Sequence, residues 1–202
     1  MKIALIGASG NVGSRIAAEL SSRGHQITAI ARDAKKIAAL PGVTRTAVDI
    51  SNTGALAAIL KGHAAVISSV QFTASDPDQL IGAVKTAGVP RYLVVGGAGS
   101  LQIATGKLLV DSPEFPKMYE SEARAGGVFL DRLRAEKDLD WTFLSPSALF
   151  QAGQRTGTFR LGKDELLVND KGSNISFEDF AIALVDEVES PKHSRQRFTV
   201  GY

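Results

Sequence analysis

Met1-Lys2-Ile3-Ala4-Leu5-Ile6-Gly7-Ala8-Ser9-Gly10-Asn11-Val12-Gly13 decides how the chain folds. Ile3 to Ile6 is a short apolar run, and Gly7 ends it. Val12, Ile16 and Leu20 then recur at helical spacing up to Ser22. An apolar strand, a glycine-rich turn and a helix in that order form a phosphate-binding unit. Gly7 allows the tight turn, Gly10 the close approach of a phosphate, and Gly13 tight packing of the helix on the strand. The helix start offers free N–H groups and a positive dipole end to a pyrophosphate. The expected ligand is therefore a dinucleotide, held at Gly7, Ser9, Gly10, Asn11, Val12 and Gly13. The spacing is G-x-x-G-x-x-G, so the strand–turn–helix context carries the assignment more than the triplet does.

The same alternation continues outward. Strands are expected at Gln26–Ala31, Val43–Val48, Ala64–Ser69, Tyr92–Val95, Trp141–Leu144 and Arg197–Val200. Helices are expected at 33–40, 53–60, from Asp76-Pro77 to near Gly88, at 117–136, and from Ser176 to about Glu189. Gly62 fits a helix C-cap, Asp76 an N-cap, and Ser176 with Asp179 a capping box. Near-continuous apolar strands alternating with helices predict an α/β fold: one Rossmann-like, doubly wound parallel sheet covered on both faces. A single domain over 1–202 is expected, with a small substrate-side region at about 147–176, rich in Gly, Asp and Lys.

Ligands of such sheets bind at the carboxyl ends of the strands. Arg32 follows the second strand, where an acid would favour NAD and an arginine favours the 2′-phosphate of NADP. Lys35 and Lys36 stand beyond it, and Asp33 is expected to cap the next helix. NADP(H) is thus expected over NAD(H), with a merely solvated basic face as the alternative. Asp49 and Ile50 end the third strand, where a carboxylate can meet the adenine amino group. Ser68, Ser69 and Val70 end the fourth, and Gly96, Gly97 and Ala98 follow the fifth. Together they trace one crevice.

Composition narrows the partners. The 202 residues are 44% hydrophobic and 22% charged with a net charge of +2, ordinary values for a globular chain with no basic stripe for nucleic acid. With no cysteine, thiolate catalysis and disulfides are excluded. His25, His63 and His193 are scattered, so no metal site is expected. Gly7 to Asn11 interrupts the first apolar run too early for a signal core or a membrane span. The expectation is a soluble, cytoplasmic protein, monomer or homodimer, acting on a small molecule.

The opening stretch, with Ala31-Arg32-Asp33, resembles the atypical short-chain dehydrogenase/reductase family. Asp140-Trp141-Thr142-Phe143-Leu144-Ser145-Pro146, Arg155-Thr156-Gly157 and Phe198-Thr199-Val200-Gly201-Tyr202 resemble its NAD(P)H-binding NADH-flavin reductase branch, which is similar to biliverdin reductase B and NmrA-like proteins. The resemblance spans essentially the whole chain. It implies pyrophosphate contacts from Ser9 to Val12, a 2′-phosphate contact from Arg32 and an adenine contact from Asp49. It also implies that Gly97 to Ser100, and Ser145, Pro146, Ser147 and Ala148, surround the nicotinamide, with Ser100 the polar group near the substrate.

One departure bears on the chemistry. Standard short-chain dehydrogenases pair a Tyr with a Lys four residues later, which readies the Tyr for proton exchange. Here Tyr119 is followed at that distance by Ala123. Tyr119 is either a general acid or a residue packing at the pocket rim. Reduction of a ketone suffers without the dyad, because the alkoxide needs a proton. A flavin or quinone spreads the incoming charge and can take its proton from water. The expected activity is NADPH-dependent hydride transfer to a flavin, quinone or similar conjugated acceptor. Phe72 and Phe150 follow strand ends, where they can stack on a flat substrate or fill the core. The competing expectations are a non-catalytic, NADP-binding redox sensor of the NmrA-like type and, last, a sugar-nucleotide epimerase or dehydratase.

Overall fold

The computed structural model describes residues 1–104 and 106–202. Its first half runs β1 (Lys2–Ile6), α1 (Asn11–Ser22), β2 (Gln26–Ala31), β3 (Val43–Ala47), α2 (Thr53–Leu60), β4 (Ala65–Ser68), α3 (Pro77–Thr86) and β5 (Arg91–Val95). The second half adds α4 (Lys117–Ala135), β6 (Asp140–Pro146), β7 (Leu149–Gln151), β8 (Arg160–Gly162), β9 (Asn174–Ser176), α5 (Phe177–Glu189) and β10 (Gln196–Gly201). One sheet takes the order β3-β2-β1-β4-β5-β6-β10-β8. Its pairs are parallel except β10 with β8. β1 lies between β2 and β4, so the chain winds outward in both directions from β1, as a doubly wound Rossmann-like sheet does.

Alternate residues of each central strand feed two cores. Leu5, Ala29, Ile67, Leu93 and Leu144 pack with α1 and α5. Ile6, Ile30, Val66, Val94 and Phe143 pack with α2, α3 and α4. Such double burial explains why the strands read as continuous apolar runs. The region after β6 forms a small parallel pair, β7 with β9, and supplies the antiparallel edge strand β8.

Two local expectations change. The helix expected over 33–40 is a single 3-10 turn, Ala34–Lys36. Asp33 caps it by accepting from the Lys35 N–H at 3.0 Å. Ile37 then turns extended (φ −83°, ψ 131°) and enters the core at 2% exposure, which a continuing helix would not allow. The capping box at α5 is half made. Ser176 Oγ accepts from the Asp179 N–H at 3.0 Å, but the Asp179 carboxylate turns away from Ser176. It accepts instead from Thr156 N–H and Oγ–H, Gly157 N–H and Tyr202 O–H, tying down the segment after β7.

Candidate active site

The turn after β1 has the geometry that its glycines dictate. Gly7 has φ +84°, and a Cβ there would lie 2.1 Å from Ser69 O. A Cβ on Gly13 would lie 2.1 Å from Gly7 O. Both glycines are thus demanded by the protein itself. Gly10 is not: a Cβ there would have one neighbour, Gly7 O at 3.3 Å. The N–H groups of Gly7 and Ala8 donate to Ile30 O, and that of Gly10 donates to Gly7 O. Among the described residues, the N–H groups of Ser9, Asn11, Val12 and Gly13 have no acceptor. α1 has no side-chain cap and no acid in its first turn, so its own sequence leaves the positive end uncompensated. A pyrophosphate fits that cluster of free donors.

From this turn opens a crevice of about 940 Å³ along the carboxyl ends of β1 to β5. Gly7, Ser9, Gly10, Asn11, Val12, Arg32, Asp49, Ile50, Ser69, Val70 and Gly96 all line it. Gly13 lies buried just behind the turn. Arg32 is exposed and, among the described residues, has no hydrogen bond or ion pair. Asp49 Oδ1 accepts from Ser51 N–H at 2.9 Å and Ser51 Oγ–H at 2.8 Å. These bonds, with the nearby Arg32 charge, hold the Asp49 carboxyl below the usual carboxylate range.

Other expected residues stand back from the lining. Ser68 is buried, with its Oγ 2.9 Å from Tyr92 Oη. Ser147 Oγ–H donates to Val200 O at 3.2 Å. Ser145 is buried, and its Oγ has no partner among the described residues. Gly97, Ala98, Pro146 and Ala148 flank these positions outside the lining. Ser100 O and Oγ both receive the buried Arg197 guanidinium at 3.3 Å. Arg197 also binds Asp164, so Ser100 ties its loop to β10. Tyr119 is 57% exposed on the first turn of α4, outside the lining. The position four residues on is Ala123. A Cβ on Gly99 would lie 2.6 Å from the Ala123 Cβ, so α4 packs against the loop after β5 at that point.

Sequence reasoning passed over several residues that line the crevice: Ser51, Gln71, Ala74, Glu122 and Phe177. Phe72 and Phe150 belong to it too, from opposite sides of the sheet. Phe72 is 9% exposed and stacks with Phe143 at 6.0 Å between ring centroids. Phe150 meets the Phe177 ring edge-on at 4.7 Å. Phe72 is thus part of one core and Phe150 packs against the other, and both line the crevice. A signal for Glu122 existed: it lies one helical turn beyond Tyr119, on the same face. No group of three or more His, Asp or Glu placed to hold a metal occurs among the described residues. No described helix is long and apolar enough to cross a membrane.

A family model described as NAD(P)H-binding matches residues 7–191. The protein YwnB of Bacillus subtilis, whose name carries no activity, is 42% identical over 99% of this chain and 98% of its own length. A solved structure from Bacteroides thetaiotaomicron, provisionally named an epimerase, has 43% identity and a TM-score of 0.94, covering 100% of this chain and 96% of that one. Another from Streptococcus pneumoniae, provisionally named an NADH-flavin reductase, has 37% identity and a TM-score of 0.83, covering 100% and 99%.

Proposed function

The chain belongs to the NAD(P)H-binding family, and from that premise we propose that it is an NADPH-dependent reductase of flat conjugated acceptors, a flavin or a quinone. The observation that carries this reading is the state of α4 at the crevice. Tyr119 faces solvent, and the place of the partnering lysine is held by Ala123 against Gly99. An acceptor that needs a proton delivered to an alkoxide is poorly served by such a site. One that delocalises the incoming electrons is not.

The dinucleotide, when bound, supplies the hydride. The chain's own residues have the work of seating and orienting. The N–H groups of Ser9, Asn11 and Val12 hold the pyrophosphate. Arg32 meets the 2′-phosphate, and Asp49 Oδ2 is left to accept from the adenine amino group. Ser69, Val70 and Gly96 wall the ribose and nicotinamide, with Gly97, Ala98 and Ser145 to Ala148 behind. Phe72 and Phe150 bound the space for the acceptor on its two sides. The name of the Streptococcus pneumoniae neighbour agrees with this class of acceptor.

The test is NADPH oxidation against a panel of FMN, riboflavin, a soluble quinone and a simple ketone. Turnover with a flavin or quinone and little with the ketone is expected, and Tyr119→Phe should leave it within about twofold, since no proton donor is removed. No turnover on any panel member, with tight NADPH binding, would instead favour a sensor. A drop of about a hundredfold in Tyr119→Phe would restore that tyrosine as the general acid.

A further inference from the structure

We propose that Glu122 is a positioning residue for the dinucleotide, its carboxylate fixing the wall of the crevice by clamping the turn Phe72–Ala74 to α4. The inference rests on dinucleotide binding and not on the identity of the acceptor.

Glu122 reaches across fifty residues of chain. Its Oε1 accepts from the Phe72 N–H at 2.7 Å, and its Oε2 accepts from the Thr73 N–H at 3.0 Å and the Thr73 Oγ–H at 2.7 Å. Phe72 and Thr73 are the first residues of a 3-10 turn, Phe72–Ala74. Gln71, which stands at the capping position, makes no side-chain cap bond. Glu122 therefore does for this turn what a local cap does elsewhere. One turn further along α4, a Cβ on Gly126 would lie 3.0 Å from the Phe72 ring. The same helix thus holds the backbone through Glu122 and makes room for the ring at Gly126.

Gln71, Phe72 and Ala74 of this segment line the ligand space. Phe72 lines it together with Gly96, at the end of β5. Ala74 lines it together with Asp49, at the end of β3. A dinucleotide lying along the strand ends would pass this wall from one half to the other. The ring of Phe72 is anchored separately, 5.4 Å from Phe129 and 6.0 Å from Phe143 between centroids. Loss of the carboxylate therefore frees the wall without emptying the core beneath it. A wall that is free to move lowers the fraction of protein ready to bind, and the apparent affinity falls by that fraction.

The experiment compares wild type, Glu122→Ala, Glu122→Gln and Thr73→Val in the full chain. NADPH affinity is read by fluorescence titration, apo stability by thermal melting, and amide exchange at Phe72 and Thr73 by NMR or mass spectrometry. Glu122→Ala should weaken NADPH binding about tenfold and speed exchange at those amides, while the apo protein still melts cooperatively at a temperature only a few degrees lower. Glu122→Gln, which keeps one acceptor oxygen, should recover part of the loss. Thr73→Val, which deletes one of the three bonds, should show a smaller loss and answers the question if Glu122→Ala does not fold. Affinity within twofold of wild type in both Glu122→Ala and Thr73→Val overturns the inference. So does a loss of affinity matched by a general collapse of stability in every variant. Wild-type chain that binds no NADPH would overturn dinucleotide binding itself, a distinct failure.

Discussion

Replacing Arg32 with alanine should convert a preference for NADPH into near-indifference between NADPH and NADH. Arg32 lines the crevice beyond β2 and engages no protein acceptor among the described residues, so its guanidinium is free for a ligand phosphate. A hydrogen bond to a charged group contributes about 1.5–3 kcal/mol. Arg32 is exposed, so water and salt screen the contact, and about 1–2 kcal/mol is the fair expectation. That corresponds to roughly 5- to 30-fold in the NADPH dissociation constant. NADH affinity should stay within about twofold, because NADH lacks the phosphate that Arg32 would meet. Fluorescence titration of both cofactors against wild type and Arg32→Ala at two salt concentrations makes the measurement. The wild-type preference should shrink as salt rises. Equal wild-type affinities, or a preference that survives the substitution, would refute the assignment and leave Arg32, Lys35 and Lys36 as a solvated basic face.

Other outcomes follow from the geometry. Gly13→Ala should lower apo stability by about 2 kcal/mol or more, since the clash with Gly7 O outweighs a helix-propensity gain of about 1 kcal/mol. Gly10→Ala should leave apo stability within about 0.5 kcal/mol yet weaken NADPH binding about tenfold, and the reverse pattern in melting and titration would sink the division of roles. Asp179→Ala strips the acceptor from four donors on Thr156, Gly157 and Tyr202, and should cost about 2–3 kcal/mol, or roughly 4–12 °C in melting temperature. Burial pushes the Asp179 carboxyl up, but those donors outweigh it and hold the group below its ordinary range. Its stabilisation is therefore complete above about pH 4 and lost as pH falls through the depressed value. Amide exchange at Thr156 and Gly157, corrected for the intrinsic pH dependence, should accelerate there in wild type, and protection that does not change on acidification would contradict this account.

What could be read in the sequence was local, and what could not depended on which residues meet. Gly7 and Gly13 announce the turn because Gly7 takes a positive φ of +84° within it and Gly13 meets Gly7 O, six residues back. The helix at Thr53–Leu60 is legible for the same reason, being bounded by Asn52, whose side chain accepts from Ala55 N–H, and by Gly62 at φ +78°. The fold follows from such units, since alternating strands and helices leave few ways to wind a sheet. Ser68 and Ser69 show where this stops. They are neighbours at the same strand end, yet one turns to Tyr92 and the other to the crevice, because successive strand residues face opposite sides. Only the register of β4 with β5 decides which is which. Ile37 ends its helix early because the core needs its side chain, a tertiary demand that overrides local preference. Glu122 and Phe72 are fifty positions apart, and no periodicity connects them.

The first two turns of α4 bear on which acceptors the crevice can serve. They begin at the crevice edge, where a proton donor would have to stand. General acid catalysis is worth about 10²- to 10⁴-fold, or roughly 3–5 kcal/mol of barrier. Here Tyr119 points to water, Ala123 closes against Gly99, and Glu122 uses both carboxylate oxygens on Phe72 and Thr73. On the proposed reading these three positions are committed to solvent, packing and clamping in turn. Holding two flat rings in register can supply up to about 7–11 kcal/mol by proximity alone. That is enough for an acceptor whose charge is delocalised, and not for one that must also be protonated as it reacts. On the proposed reading, the glycine turn selects the dinucleotide, and α4, with its first turns given to a rigid wall and not to acid catalysis, would restrict what that dinucleotide can reduce.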